Sequence, residues 1–360
     1  MTLPLLHLSG KPYAQGLAHG TALRGPIRQN LGLYFARFER ELKLSRNETL
    51  RRATRYAAVI AEQSPDYFAG MRGIAAGAGV DLAAIAALNV RYELFYDAFV
   101  ERPLPDGCTA FALLPTATAD AHLLLGENWD WIVGVQGTLL HISEPDGLQI
   151  LAFSEAGIFG GKIGLNAAGL GLAINGLTSH DDDWARLRRP FHIRCYEVLH
   201  ASGLEAAIAV VSGEERSCSA NFLIAQTPDQ VVNLETGPRG IHASGCVAGC
   251  LVHANHFLNA EAVGTTERNV ENTPHSWQRQ ARLTELLAAR PLTLADVQAA
   301  LRDHQGYPSS ICFHIDPAEP PEEHYASVVS VIIDLHARAL YITDGPPCQS
   351  DYARYALASI

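Results

Sequence analysis

Pro103-Leu104-Pro105-Asp106-Gly107-Cys108-Thr109-Ala110-Phe111 is the stretch at which this chain changes character. Upstream, from Pro12 to about Val100, apolar residues recur at helical spacing, as in Leu31, Tyr34, Phe35, Phe38 and Leu42 and again around Ala57 to Ile60. Asp81 is placed as the N-cap of a further helix running through Leu88 toward Phe95. Two prolines and an Asp-Gly cannot continue a helix, so the stretch predicts a kinked connection. Downstream of it the pattern turns to short β-type runs.

Phe111–Leu114 and His122–Leu125 read as strands, and Leu139–Ser143 pairs with Leu148–Phe153 across Glu144-Pro145-Asp146-Gly147. Lys162–Leu165 and Leu170–Ile174 flank a second turn at Asn166-Ala167-Ala168-Gly169. Helical pattern returns at Phe191–Val211, followed by strands at Asn221–Gln226, Val231–Glu235 and Leu251–His256. Helices at Ser276–Ala289 and Thr293–Asp303 precede last strands at Val328–Leu335 and Leu340–Ile342. Some runs alternate and others are continuously apolar, as strands covered on one or both faces would be. Helices before, between and after two sets of antiparallel strands predict an α/β (α+β) fold, a four-layer αββα sandwich of two stacked antiparallel sheets with helices on both outer faces. With no internal repeat or low-complexity linker, residues 1–360 are expected to form one domain.

Nearly half of the 360 residues are apolar, enough for a sizeable core. A formal net charge of -11 argues against a nucleic-acid partner. The basic residues Arg37, Arg40, Lys43, Arg46, Arg51, Arg52 and Arg55 alternate with Glu39, Glu41 and Glu48, as a solvated helix face would. Met1-Thr2-Leu3-Pro4 lacks the regions of a secretory signal, and no apolar run is long enough to span a membrane. The expected location is the cytoplasm. Seven cysteines over so long a chain argue for reduced thiols, with Cys195, Cys218, Cys312 and Cys348 read as packing residues.

Cys108 stands apart because it lies behind a glycine at the head of a strand. If the chain cut itself there, one residue would hold both a thiolate nucleophile and a free amine. The plainer reading is a buried cysteine acting as a small hydrophobe. Gly126-Glu127-Asn128-Trp129-Asp130-Trp131 follows two strands later. Should those strands form a hairpin, Asp130 returns beside the cysteine, where its carboxylate could orient the amine; otherwise the stretch is a strand-end turn with two packing tryptophans. In Cys246-Val247-Ala248-Gly249-Cys250-Leu251-Val252-His253-Ala254-Asn255-His256, the thiols and imidazoles first suggest zinc. Strand alternation points His253 and His256 to opposite sides, which argues against one shared ion. Asn255 could instead donate its amide to a developing oxyanion. The alternatives kept open are a zinc-dependent hydrolase using Cys246, Cys250 and His253, and a non-catalytic small-molecule binding protein. There is no Gly-x-Ser-x-Gly elbow, and the glycines from Gly157 to Gly176 fit hairpin turns better than phosphate binding. His180-Asp181-Asp182-Asp183 reads as a solvated loop.

Taken together, Asp106-Gly107-Cys108-Thr109, Gly126-Glu127-Asn128-Trp129-Asp130-Trp131 and His253-Ala254-Asn255-His256 resemble the acyl-coenzyme A:6-aminopenicillanic-acid (isopenicillin N) acyltransferase family of self-processing N-terminal nucleophile hydrolases. Gly10-Lys11-Pro12-Tyr13 with Gly16 and Gly20, Gly169–Asn175, Arg302-Asp303-His304, Ser310-Ile311-Cys312 and Asp344-Gly345 extend the resemblance along almost the whole chain. It implies an αββα fold and a precursor cut between Gly107 and Cys108 into chains 1–107 and 108–360 that stay associated as a heterodimer. It further implies Cys108 as nucleophile, Asp130 as the carboxylate near its amine and Asn255 as oxyanion donor, with Trp129 and Asn175 as substrate contacts. The substrate would be a small acyl-amide or acyl-thioester, acyl-coenzyme A among the candidates, with no cofactor and no metal. One position departs from the family pattern: Phe313 follows Ser310-Ile311-Cys312 where an arginine is common.

Overall fold

The computed structural model describes residues 3–98, 107–213, 215–267 and 274–357, so the break at Pro103–Asp106 lies outside the described residues. The chain opens with strand β1 (Leu5–Ser9), then six helices: α1 (Pro12–Ala22), α2 (Arg24–Leu42), α3 (Arg46–Gln63), α4 (Pro65–Ala78), α5 (Leu82–Asn89) and α6 (Arg91–Ala98). Strands β2 (Thr109–Leu113), β3 (Leu124–Ile132), β4 (Gly137–Ser143), β5 (Gln149–Glu155), β6 (Ile163–Asn166) and β7 (Leu170–Gly176) follow. Helices α7 (Phe191–Leu199) and α8 (Leu204–Ser212) precede β8 (Ala220–Gln226), β9 (Gln230–Thr236), β10 (Ile241–Ser244) and β11 (Cys250–His253). The chain continues through α9 (Ala260–Val263), α10 (Pro274–Leu286), α11 (Leu294–Leu301), β12 (Tyr325–Asp334), β13 (Ala339–Ile342) and β14 (Ala353–Ala356).

These strands form an eight-stranded sheet in the order β1-β4-β5-β6-β7-β8-β9-β10 and a six-stranded sheet in the order β11-β2-β3-β12-β13-β14. The sheets face each other through contacts of β3 and β2 with β7, of β2 with β8 and of β12 with β6. Helices α7 and α8 cover the outer face of the larger sheet, packing on β6, β7 and β8. On the other side, Leu283, Leu287, Val297 and Leu301 of the α10–α11 region join Phe111, Leu113, Leu124, Val252 and Ile332 in an apolar layer. The architecture is the four-layer αββα sandwich. One detail differs from two purely antiparallel sheets: β1 pairs in parallel with β4, Leu5 opposite Leu139.

Both sheets are buried on two faces at the centre, which explains the continuous apolar runs. All five residues of β2 and all nine of β3 are buried. Asp81 does stand at an N-cap, but the helix it opens stops at Asn89, with Val90 as its C-cap, and a new one begins at Arg91. The early glycines have a steric reason. A Cβ on Gly16 or Gly20 of α1 would overlap the backbone of Gly70 or Ile74 on α4, and one on Gly73 or Gly77 would overlap α1 in return. The two helices therefore approach backbone to backbone. The basic face around α2 and α3 is largely paired outside, as in Glu48 with Arg51 and Arg52. Arg37 is the exception, being buried and donating to the His324 carbonyl. Among the described residues no helix is long and apolar enough to cross a membrane.

Candidate active site

Strand β2 begins one residue after Cys108 and runs antiparallel to β3, with Thr109 opposite Asn128 and Leu113 opposite Leu124. The hairpin thus returns Asp130 to the head of β2. The Cys108 thiol is buried and points at the Asp130 backbone carbonyl, 3.7 Å away. A Cβ on Gly107 would lie 2.6 Å from Asp130 Oδ2 and 2.7 Å from Phe313 Cδ2. Glycine is therefore required at 107 by the approach of two side chains.

Three polar residues in a wholly buried strand need partners, because an unpaired polar group there costs about 1–3 kcal/mol. Glu127 Oε2 accepts from the Ile174 N–H at 2.6 Å, linking β3 to the other sheet. Asn128 Nδ2 donates to the Leu301 and Ile311 carbonyls at 2.9 and 2.7 Å. Asp130 Oδ1 accepts from Ser327 Oγ at 2.6 Å. Ser327 Oγ in turn accepts from the Phe313 N–H at 3.0 Å. Asp130 is held in one orientation by this chain, and Ser327 sits beside the irregularity where β12 slips its register against β3.

The decisive contact comes from α10. Arg279 is 1% exposed, and its Nη1 donates to the Gly107 carbonyl, to the Cys108 carbonyl at 2.9 Å and to Thr109 Oγ1 at 2.6 Å. Its Nη2 donates to Asn255 Oδ1 at 3.0 Å. A buried cation costs several kcal/mol unless paired or hydrogen-bonded. The ring of acceptors supplies those hydrogen bonds, and Leu283 and Leu287, both fully buried, contribute roughly 1.5–3 kcal/mol each toward seating the helix. Arg279 was not among the residues singled out from sequence. Its signal was there: in a helix, Arg279 falls on one face with Leu283 and Leu287, so a cation opens a stripe that is otherwise apolar toward the C-terminal end.

Asn255 lies just beyond β11, half-buried, with its backbone N–H on Ser276 Oγ at 2.8 Å and its Nδ2 donating to the Gly176 carbonyl at 3.2 Å. It touches the Gly107–Cys108 link through Arg279. Asn175 arrives from the facing sheet, donating from Nδ2 to the Cys108 and His253 carbonyls at 3.3 and 3.4 Å. Asn221 Nδ2 fixes it, donating to Asn175 Oδ1 at 3.1 Å. Trp129 is 3% exposed, its ring under Lys162 Nζ at 3.2 Å and beside Phe153. Lys162 also donates to Glu155 Oε1 at 2.6 Å, and burial lowers its pKa to about 8. Trp129 therefore packs in the interior over this charge pair. His275 and His256 flank Arg279 and stay neutral at ordinary pH, burial lowering them to about 3 and about 4.

The zinc alternative gains no support, and one sequence expectation is corrected. Cys246, Cys250 and His253 do not converge among the described residues. Both His253 ring nitrogens are occupied, Nδ1 by the Ala254 carbonyl at 2.7 Å and Nε2 by Glu235 Oε1 at 2.9 Å. The acidic run at 181–183 is not uniformly solvated, because Asp182 is buried and accepts from the backbone and hydroxyls of Ser179 and Ser219. Cys195 and Cys218 are packed as expected, whereas Cys348 is exposed.

Against this geometry, comparison with known proteins places the chain clearly. The family model described as acyl-coenzyme A:6-aminopenicillanic acid acyl-transferase matches residues 116–347, a stretch that begins downstream of Cys108. The acyl-coenzyme A:6-aminopenicillanic-acid-acyltransferase 40 kDa form of Emericella nidulans is 26% identical over 314 residues, 86% of this chain and 84% of its own length. Among solved structures, an N-acylethanolamine-hydrolyzing acid amidase ortholog of Caenorhabditis elegans is 12% identical with a TM-score of 0.47, over 63% of this chain and 93% of that one. A mutant conjugated bile acid hydrolase from Clostridium perfringens is 11% identical with a TM-score of 0.45, over 70% of this chain and 98% of that one.

Proposed function

Because this chain belongs to the acyl-coenzyme A:6-aminopenicillanic acid acyl-transferase family, we propose that it is a self-processing acyl-transfer enzyme whose nucleophile is Cys108. The observation that supports this most is the Arg279 guanidinium on the Gly107 carbonyl, the one carbonyl whose carbon the Cys108 thiol must attack. In the precursor, the Sγ–C bond forms as the Gly107–Cys108 C–N bond breaks, and the sulfur's proton passes to the leaving nitrogen. Negative charge gathers on the Gly107 oxygen, where Arg279 already donates. Water then opens the thioester, leaving a carboxylate on Gly107 and a free amine on Cys108, with chains 1–107 and 108–360.

In the mature enzyme the freed α-amine, with a reference pKa of about 8, suits proton transfer near neutral pH better than a lysine at about 10.4. It takes the thiol proton, with Asp130 close enough to orient it, and the thiolate attacks an acyl-amide or acyl-thioester. The substrate carbonyl oxygen takes the place that the Gly107 oxygen holds, so Arg279 and Asn255 together stabilise the oxyanion. Asn255 reaches it once its amide leaves the Gly176 carbonyl. Asn175, already on the Cys108 carbonyl, fixes the nucleophile's backbone. Water as acceptor makes the reaction a hydrolysis, and an amine makes it a transfer. The relatives' names make acyl-coenzyme A one donor to try.

The test is acyl capture. Purified protein is mixed with a panel of acyl-thioesters and acyl-amides, quenched in acid and mapped by peptide mass. The acyl group is expected on the peptide beginning at Cys108, and on no peptide of Cys108→Ala. Turnover that survives in the alanine variant rules this chemistry out.

A further inference from the structure

We propose a second, non-catalytic site: a structural zinc ion held by His304, Cys312, His314 and Cys348. One ligand atom from each of these four residues lies within 4.8 Å of all the others. His314 Nε2 is 3.1 Å from His304 Nε2, 3.4 Å from Cys312 Sγ and 3.4 Å from Cys348 Sγ. A single ring nitrogen can make one hydrogen bond, so three such neighbours crowd it beyond what protons account for. A shared cation accounts for all of them. With Zn–N near 2.0–2.1 Å and Zn–S near 2.3 Å, a tetrahedral ion sets its ligands about 3.3 Å apart for two nitrogens and about 3.6 Å for nitrogen and sulfur. The separations found here sit within a few tenths of an ångström of both.

The backbone is built to bring these ligands together. Tyr307 N–H donates to the His304 carbonyl at 3.0 Å, Cys312 N–H to the Asp303 carbonyl at 3.1 Å and His314 N–H to the Pro308 carbonyl at 2.9 Å, folding residues 303–314 back on themselves. Arg302 Nε holds the Pro347 carbonyl at 2.7 Å, which docks the turn carrying Cys348 on the same spot. Cys312 is buried, while His304 and Cys348 are exposed, so the donor set opens to solvent on one side. Two thiolates and two imidazoles favour zinc over harder cations, and four protein ligands leave no open position, the mark of a structural site.

The ion would brace the catalytic hairpin. Phe313 lies between two of the ligands, packs beside Gly107 and donates its N–H to Ser327 Oγ, which bonds Asp130. The site stands independently of the role given to Cys108.

The experiment uses full-length protein purified with a phosphine reductant and no chelator. Elemental analysis is expected to give one zinc per chain. After stripping, one equivalent of cobalt(II) should produce the visible bands of a tetrahedral site with a thiolate-to-cobalt charge-transfer band. Cys348→Ser should roughly halve that charge-transfer intensity and weaken zinc binding at least tenfold, and the double change Cys246→Ala with Cys250→Ala should leave both unchanged. Substoichiometric metal with no tetrahedral cobalt spectrum in reduced wild-type protein would overturn the proposal. So would a spectrum that Cys348→Ser does not alter, or a Cys312–Cys348 disulfide whose reduction yields no metal uptake.

Discussion

Arg279 carries a heavy demand, since one guanidinium meets the carbonyls on both sides of the Gly107–Cys108 link. Losing one oxyanion donor typically costs about 2.7–4 kcal/mol in the barrier. Arg279→Ala should therefore slow the appearance of the two fragments by about 10²–10³-fold, followed by denaturing gel electrophoresis over time. Arg279→Lys should fall between the two, because an ammonium lacks the fork that reaches Gly107 and Asn255 at once. Asn255→Ala should fold, process and turn over slowly, the loss falling mainly on kcat. A variant with near-normal kcat would remove Asn255 from the oxyanion role. Cys108, Asp130 and Gly107 could be picked out as candidates in the sequence because a helix-breaking stretch, a cysteine behind a glycine and a polar run interleaved with tryptophans follow one another there. Arg279 and Ser327 were not, because each reaches the site through tertiary packing from an element whose own pattern is ordinary.

The hairpin of β2 and β3 decides the site at the level of elements; the sequence offered its pairing only as a condition, with the second run at His122–Leu125, whereas β3 runs on through Gly126–Trp131 to Ile132. What escaped were β1, β10 and β14, strands of four or five residues at or near the ends of the sheets with partly exposed faces. Such segments gain their structure from a neighbour's open hydrogen bonds, with little periodicity of their own. The helix α6 carries a separate consequence. Glu93 is buried, accepts from the Phe191 N–H at 2.6 Å, and burial raises its pKa from 4.5 to about 7. Between those values the folded protein holds a proton that the unfolded chain has released, so stability should fall as pH rises through that window. Glu93→Gln cannot titrate and should lose this part of the slope. Urea unfolding at a series of pH values checks it; parallel profiles for the two proteins would refute it.

Across the molecule, the described residues up to Gly107 and those from Cys108 onward are interlocked. β1 is a strand of the larger sheet, beside β4. Asn30 Nδ2 bonds the Gln136 and Ala156 carbonyls at 3.0 and 2.9 Å, Trp131 Nε1 donates to Tyr34 at 2.7 Å, and Arg91 pairs with buried Glu155. A cut at 107/108 leaves all of this in place. The two fragments should co-elute on size exclusion in native buffer and separate only in denaturant, whereas separation without denaturant would contradict the interlocking. The layering itself was visible in the order of helical and β-type runs, because burial on both faces leaves its mark on composition. The grouping of His304, Cys312, His314 and Cys348 was not, since 33 residues of strand and turn intervene between the last two. The account as a whole is tested most directly by N-terminal sequencing of the large fragment from active protein. It predicts a terminus reading Cys108-Thr109-Ala110-Phe111, present in the wild type and missing from Cys108→Ala; an intact chain with full activity, or a cut that the alanine variant makes equally well, would contradict it.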